Sequence, residues 1–502
     1  MKGVVAAGHP LTAETGAKVL REGGNAVDAA VAAVLASFAL ESPLTGFGAG
    51  GFMMVHRPGV GGGGNATELI DFFVAVPGLE GTERTEELVP VDVYFDPSTV
   101  QVFNVGPASC GVPGTAAGLA DAVRRHGTVP LADLVRPAAR LAREGAPVTP
   151  QQAFVLKILE PIYGSTPELR EIYAPAGRML REGEELRWPD LAGALERFGA
   201  EGPDPFYSGD IGLRVAHHVR ERGGTLAPAD MAAYRAEERV PVRASFAGRH
   251  VFTNPPPSSG GILIAFALEL LERMGRSDLD AVIEVMRIAH DARDEDFSEG
   301  LRASGFERAF LDADRLDNLG STTHLCAIDA DGICATVTCS NGTGSGVLVP
   351  GTGVHVNNML GEEDLNPQGF HRAPVGSRMP SMMAPTVVLH DGEVVAGLGS
   401  AGSNRIRSAI LQTLLGLIAG GLSPAEAIAA PRVHYEAGIL QAEPGSESVA
   451  LERAEAMGMK VIRWDHLNLF FGGVQAVTRD PASGRLDGGG DPRRGGAAAV
   501  AE

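Results

Sequence analysis

Two turn signals late in the chain constrain its fold most. Thr322-Thr323-His324-Leu325-Cys326-Ala327-Ile328, the turn Asp329-Ala330-Asp331-Gly332 and Ile333-Cys334-Ala335-Thr336-Val337-Thr338-Cys339 read as two β-rich runs joined by an Asp-Gly hairpin. Thr386-Val387-Val388-Leu389, His390-Asp391-Gly392 and Glu393-Val394-Val395-Ala396 repeat the device. Hairpins make antiparallel pairs, and these runs are apolar at successive positions, so both faces of each pair must be covered. Helical segments are there to cover them. Asn25 is an N-cap for a helix apolar on every side from Ala29 to Leu35. A second helix is expected over 405–420, capped by Ser403 or Asn404, with Ile406, Ile410, Leu414 and Leu417 on one face. A third opens on Ser423-Pro424-Ala425-Glu426, a capping box with Pro at the first helical position. Helices layered around antiparallel sheets are the simplest architecture, although 502 residues also fit about three domains by length alone.

The middle third is helical and polar, over 208–234 and 281–293. Between these segments Asn254-Pro255-Pro256-Pro257-Ser258-Ser259-Gly260-Gly261 reads as a rigid loop feeding a helix over 262–273. Gly46-Phe47-Gly48-Ala49-Gly50-Gly51 with Asp71 beyond it has the G-x-G-x-x-G form. A dinucleotide fold needs a strand before the glycines and a helix after them; here the order is helix, glycines, strand, so that function is excluded.

Charge removes further classes. The 62 acidic against 42 basic residues leave −20, which repels phosphate backbones and anionic lipid, so neither nucleic acid nor membrane is an expected partner. Four cysteines (Cys110, Cys326, Cys334, Cys339) are too few for a disulfide scaffold, and three of them fall in strands as small hydrophobes. The start of the chain carries no secretory apolar region and the longest apolar stretch, Ala26–Leu40, is too short to span a bilayer; a cytoplasmic location is expected. No G-x-S-x-G, H-E-x-x-H or C-x-x-C supports a serine triad or zinc, the acidic run Asp291, Asp294, Glu295, Asp296 reads as a solvated face, and no metal or cofactor is expected. Two glycine clusters remain as chemistry. Asn341-Gly342-Thr343-Gly344-Ser345-Gly346 follows the first hairpin, and Gly397-Leu398-Gly399-Ser400-Ala401-Gly402-Ser403 turns strand into helix. The second sets consecutive amides at a helix start, where they bind an anion or oxyanion if the cluster is more than a tight turn.

Seven segments in order resemble the gamma-glutamyltranspeptidase family of N-terminal-nucleophile hydrolases. They are Gly23-Gly24-Asn25-Ala26-Val27-Asp28-Ala29-Ala30, Gly48-Ala49-Gly50-Gly51-Phe52-Met53, Val112-Pro113-Gly114-Thr115, Pro255-Pro256-Pro257-Ser258-Ser259-Gly260-Gly261, Thr322-Thr323-His324, Asn357-Asn358 and the run Gly490-Asp491-Pro492-Arg493-Arg494-Gly495-Gly496. The resemblance implies an α+β fold, a four-layer αββα sandwich of two antiparallel sheets flanked by helices. It also implies a precursor that cleaves itself at Ser321–Thr322 into a large segment, residues 1–321, and a small one, residues 322–502. Thr322 then becomes the nucleophile with its own α-amine as base; an amine with a pKa near 8 suits that task, and before cleavage the nitrogen is an amide and cannot serve.

Carried over position by position, the resemblance makes Gly402 and Ser403 the oxyanion donors. Ser340 becomes a hydroxyl beside the nucleophile's amine, Asn341 its neighbour, and Glu362 the acid that grips a substrate α-ammonium. Departures concern the substrate. Where glutathione-cleaving members place an arginine for the γ-glutamyl α-carboxylate, Asp71-Phe72 is followed by Phe73. Two assisting serines become Ser381 and Met382, and a glutamine becomes Met359. The resemblance therefore implies an amide-hydrolysing or acyl-transferring enzyme acting on a small amide or peptide with a more apolar acyl group, glutathione being the less favoured substrate. The alternatives are a catalytically silent member used for binding and an acylase of the cephalosporin or glutaryl type. Pairing of two processed units is left open.

Overall fold

The computed structural model describes residues 1–59, 66–96, 99–291, 293, 297, 300–302, 306, 310, 323–366 and 368–502. Each of the two hairpins seeds a different sheet. The first pairs Thr323–Asp329 with Cys334–Ser340, Thr323 opposite Cys339. Its turn is held by Asp329, whose carboxylate accepts from the Ile333 amide (2.9 Å) and from the Ala26 amide at a helix start (2.9 Å). The second pairs Thr386–His390 with Glu393–Ala401 through Asp391 and Gly392, at φ 52° and 86°, the two left-handed residues that a tight two-residue hairpin requires.

Around the first hairpin a seven-stranded antiparallel sheet runs Ala497–Ala501, Gly3–Ala7, Thr323–Asp329, Cys334–Ser340, Gly50–Arg57, Ala66–Phe72, Glu237–Arg239. Around the second a six-stranded antiparallel sheet runs Leu486–Gly490, Gly473–Arg479, Glu393–Ala401, Thr386–His390, Arg249–Thr253, Val242–Phe246. Strand alternation sorts the first hairpin between two layers. Leu325, Ala327, Ala335 and Val337 pack with the helix Ala26–Leu40, while Cys326, Ile328 and Cys334 pack with Val387, Val394 and Val477 of the second sheet. Helices Ser259–Met274 and Arg405–Ile418 cover that sheet's outer face. The result is the four-layer αββα sandwich expected from the resemblance, one fold rather than the three domains that length suggested.

Ala26–Leu40 is buried on every side, as its composition required, with Asn25 and Asp28 forming a capping box. The order helix, glycines, strand holds at 46–51. Asn404 occupies the cap position of Arg405–Ile418, but no side-chain cap bond forms. The proline-rich loop is shorter than its glycines suggested: the helix starts at Ser259 and includes Gly260 and Gly261, because the Met382 carbonyl lies against Gly260 and the Asn254 backbone against Gly261, where no Cβ fits. The C-terminal Asp491-Pro492-Arg493 turn is anchored by a buried ion network. Arg432 and Arg493 both meet Asp491 (2.7 and 3.2 Å), Arg493 Nε meets Glu443 (2.6 Å), and Asp491 accepts from the Val474 amide (2.8 Å). Among the described residues no helix is long and apolar enough to cross a membrane. The acidic run beyond Asp291 lies outside the described residues; Asp291 pairs with Arg287 (2.7 Å).

Candidate active site

Three strand ends converge at one end of the sandwich: the start of Thr323–Asp329, the end of Cys334–Ser340 and the end of Glu393–Ala401. Ser321 and Thr322 lie outside the described residues, immediately before the first of them. His324 is not a base for them. Its Nδ1 and Nε2 are bonded to the hydroxyls of Thr338 (2.9 Å) and Thr336 (3.1 Å), and burial pushes its pKa down to about 3.

The structure brings Ser340, Asn341 and Glu362 together through Gly342. Ser340 Oγ accepts from the Gly342 amide (2.7 Å), and Gly342 sits at φ 66° with its open side 2.7 Å from Glu362 Oε1, so a side chain there would close the approach. The Asn341 backbone is tied to Leu44 and Asn358, yet its side-chain amide is buried with neither end bonded among the described residues. Such a group signals a missing partner. Burial pushes the pKa of Glu362 up to about 7, against the Asn358 side chain, the Thr343 amide and Arg405, which favour its charge; Oε1 has no partner among the described residues.

Gly402 and Ser403 follow the third strand end with φ 120° and 63°, turning the chain into Arg405–Ile418. Gly402 is required: a Cβ would come 2.6 Å from Gly472 Cα. Arg405 donates to the Phe470 carbonyl (3.0 Å) and lies 4.6 Å over the Phe470 ring. A cavity of about 370 Å³ joins this corner to Glu362, walled by Phe95, Val100, Val102, Ile439 and Phe470, with Arg405, His434, Glu436 and Gln441 among its other polar groups. Arg405 and the hairpin Val89–Asp96 with Thr99–Val105 escaped the sequence reading. The alternating valines of that hairpin were its only signal.

Phe73 and Ser381 stand apart. Among the described residues neither bonds to Glu362 or Asn341. Phe73 is fully buried between the sheets in one apolar cluster with Met359, Leu360, Met379 and Met383, its ring stacked on Phe52 at 5.3 Å. The nearby guanidiniums are committed to Asp71, Arg239 at 2.6 Å and Arg378 at 3.4 Å. Ser381 Oγ accepts from the Met383 amide (3.0 Å) and its carbonyl from Ser258 Oγ (2.7 Å).

The family model described as Gamma-glutamyltranspeptidase matches residues 12–304 and 302–501. The chain belongs to the gamma-glutamyltranspeptidase family. Among its relatives, the "Acylase ACY 1 proenzyme" of Pseudomonas sp. (strain SE83) is 32% identical over 97% of this chain and 91% of its own. The "Glutathione hydrolase proenzyme" of Escherichia coli (strain K12) is 32% identical over 98% and 90%. Among solved structures, cephalosporin acylase from Bacillus halodurans matches with a TM-score of 0.83 at 27% identity, over 100% of this chain and 96% of its own. The family assignment makes the protein an enzyme of the hydrolase and acyltransferase kind with an N-terminal-nucleophile hydrolase fold.

Proposed function

We propose that this family member is a precursor that cuts itself at Ser321–Thr322, giving segments 1–321 and 322–502, and then cleaves an acyl amide through an acyl-enzyme on Thr322. The Thr322 α-amine is the base, Gly402 and Ser403 supply backbone donors to the oxyanion, Ser340 and Asn341 steady the amine, and Glu362 receives a positive group of the substrate. The names of the relatives, proenzymes of an acylase and a glutathione hydrolase, support the cut and leave both substrate classes open.

One observation carries the choice between them. Where a γ-glutamyl α-carboxylate would need a cation, Phe73 stacks on Phe52 amid Met359, Met379 and Met383. Losing a charge-assisted partner for that carboxylate at this position costs about 3 kcal/mol, on the order of a hundredfold in affinity. The reading is therefore an acylase whose acyl group lacks the α-carboxylate, with release to water or to an amine. Initial rates on γ-glutamyl, glutaryl and longer acyl anilides test it. The γ-glutamyl anilide is expected not to be the best, and a clear γ-glutamyl preference would overturn the reading. Intact mass tests the cut: two fragments, the smaller beginning at Thr322, are expected, whereas a chain that stays whole favours a silent binding member.

A further inference from the structure

Before the cut, residue 322 has no amine, so the first proton transfer needs another base. A second cavity, about 50 Å³ and roomy enough for a few waters, borders Thr323 at the site's other side. Its titratable wall groups are His9, Glu41, His324 and Arg494. His324 has both nitrogens bonded to threonines. His9 Nδ1 accepts from the Leu11 amide (3.1 Å), which leaves Nε2 carrying the proton, a donor. Arg494 is a cation. Among the described titratable wall groups only Glu41 can accept.

Its placement fits. The antiparallel register ends with Ala7 opposite Leu325, and the next residues, Gly8 and His324, line the same cavity as Glu41 and Thr323. Glu41 Oε2 lies 2.5 Å from where a Cβ on Gly8 would be, so glycine makes room for it, while Oε1 accepts from Thr12 Oγ1 (3.0 Å). The Glu41 carbonyl accepts from Leu44, whose own carbonyl accepts from Asn341, so the turn carrying the acid is bonded to the candidate site.

We propose that the Glu41 carboxylate is the proton acceptor of self-cleavage; this rests on the self-cleavage reading above. It takes the Thr322 hydroxyl proton, directly or through one cavity water, as Oγ bonds to the Ser321 carbonyl carbon. It returns the proton to the nitrogen as the Ser321–Thr322 C–N bond breaks. The ester so formed is then hydrolysed by water, with the freed α-amine as base, leaving a carboxylate at 321 and the hydroxyl at 322. Burial raises the Glu41 pKa to about 7, opposed by the Thr12 bond and by Arg494, so the acceptor form appears as pH rises through neutrality. The charged and titratable groups facing it are His9, His324 and Arg494.

Precursor conversion is followed by intact mass against pH. Wild type should convert faster as pH rises through about 7, and Glu41→Gln should slow conversion at least a hundredfold. Thr12→Val removes a bond that favours the ionised acid, so its inflection should move to higher pH, and this readout holds even if Glu41→Gln melts early. Conversion of Glu41→Gln within threefold of wild type, or a Thr12→Val profile that superposes on wild type, overturns the proposal alone. A wild type that never cuts overturns the self-cleavage reading with it.

Discussion

The ring of Phe73 lies on the ring of Phe52 at 5.3 Å and 23°, in the apolar seam between the two sheets. Phe73 serves packing here.

That contact sets the first prediction. Phe73→Ala should destabilise the protein by about 3–5 kcal/mol, the usual cost of emptying a buried phenyl site. Denaturant unfolding of the two proteins measures it. A loss below about 1 kcal/mol would show that the seam does not depend on the ring.

Glu362 predicts a pH dependence of binding. With its pKa raised to about 7, it is neutral in acid and gains charge as pH rises. KM for a substrate bearing an ammonium group should therefore fall as pH rises through about 7, while KM for an uncharged analogue should not. Glu362→Gln should flatten the first profile.

Stability should fail toward acid. Burial holds His324 at about 3 and His9, His56, His355 and His434 at about 4, below the unfolded 6.5. For a depressed pKa the unfolded chain takes up protons first, so stability is complete above about 6.5 and drains as pH falls toward 4. Glu41 and Glu362, raised to about 7, act in the opposite sense, adding stability below neutrality, but the imidazoles outnumber them. Tm measured from pH 7.5 to 4.5 should decline, and His355→Gln should lessen the slope.

The C-terminal network gives a stability test far from the chemistry. Asp491→Asn leaves Arg432, buried and at 2.7 Å, without its carboxylate, and should cost about 3–5 kcal/mol. Chemical denaturation should register this as a lower midpoint with an unchanged slope.

Both hairpins, the all-apolar helix and its cap were legible because local rules set them: an Asp-Gly turn, an alternating face, a capping side chain. The motif residues Ser340, Asn341 and Glu362 were legible as a resemblance, and Gly342 explains why they meet. Glu41 was not legible. It is brought to Gly8 and Asn341 by sheet register and a turn, and a glutamate before Ser42-Pro43 carries no local sign of that. Nor was the start of the helix at Ser259, since it depends on how closely the Met382 and Asn254 backbones approach two glycines.

The order of strands in the larger sheet has a mechanical consequence. Gly3–Ala7 lies between Ala497–Ala501 and Thr323–Asp329, and Gly50–Arg57 borders Cys334–Ser340, so segments from either side of residue 322 are interleaved. A cut there severs the chain but frees nothing. The two pieces can separate only by stripping whole ladders of backbone hydrogen bonds, so their separation and their denaturation are one event, and reassembly from separated pieces becomes second order in protein.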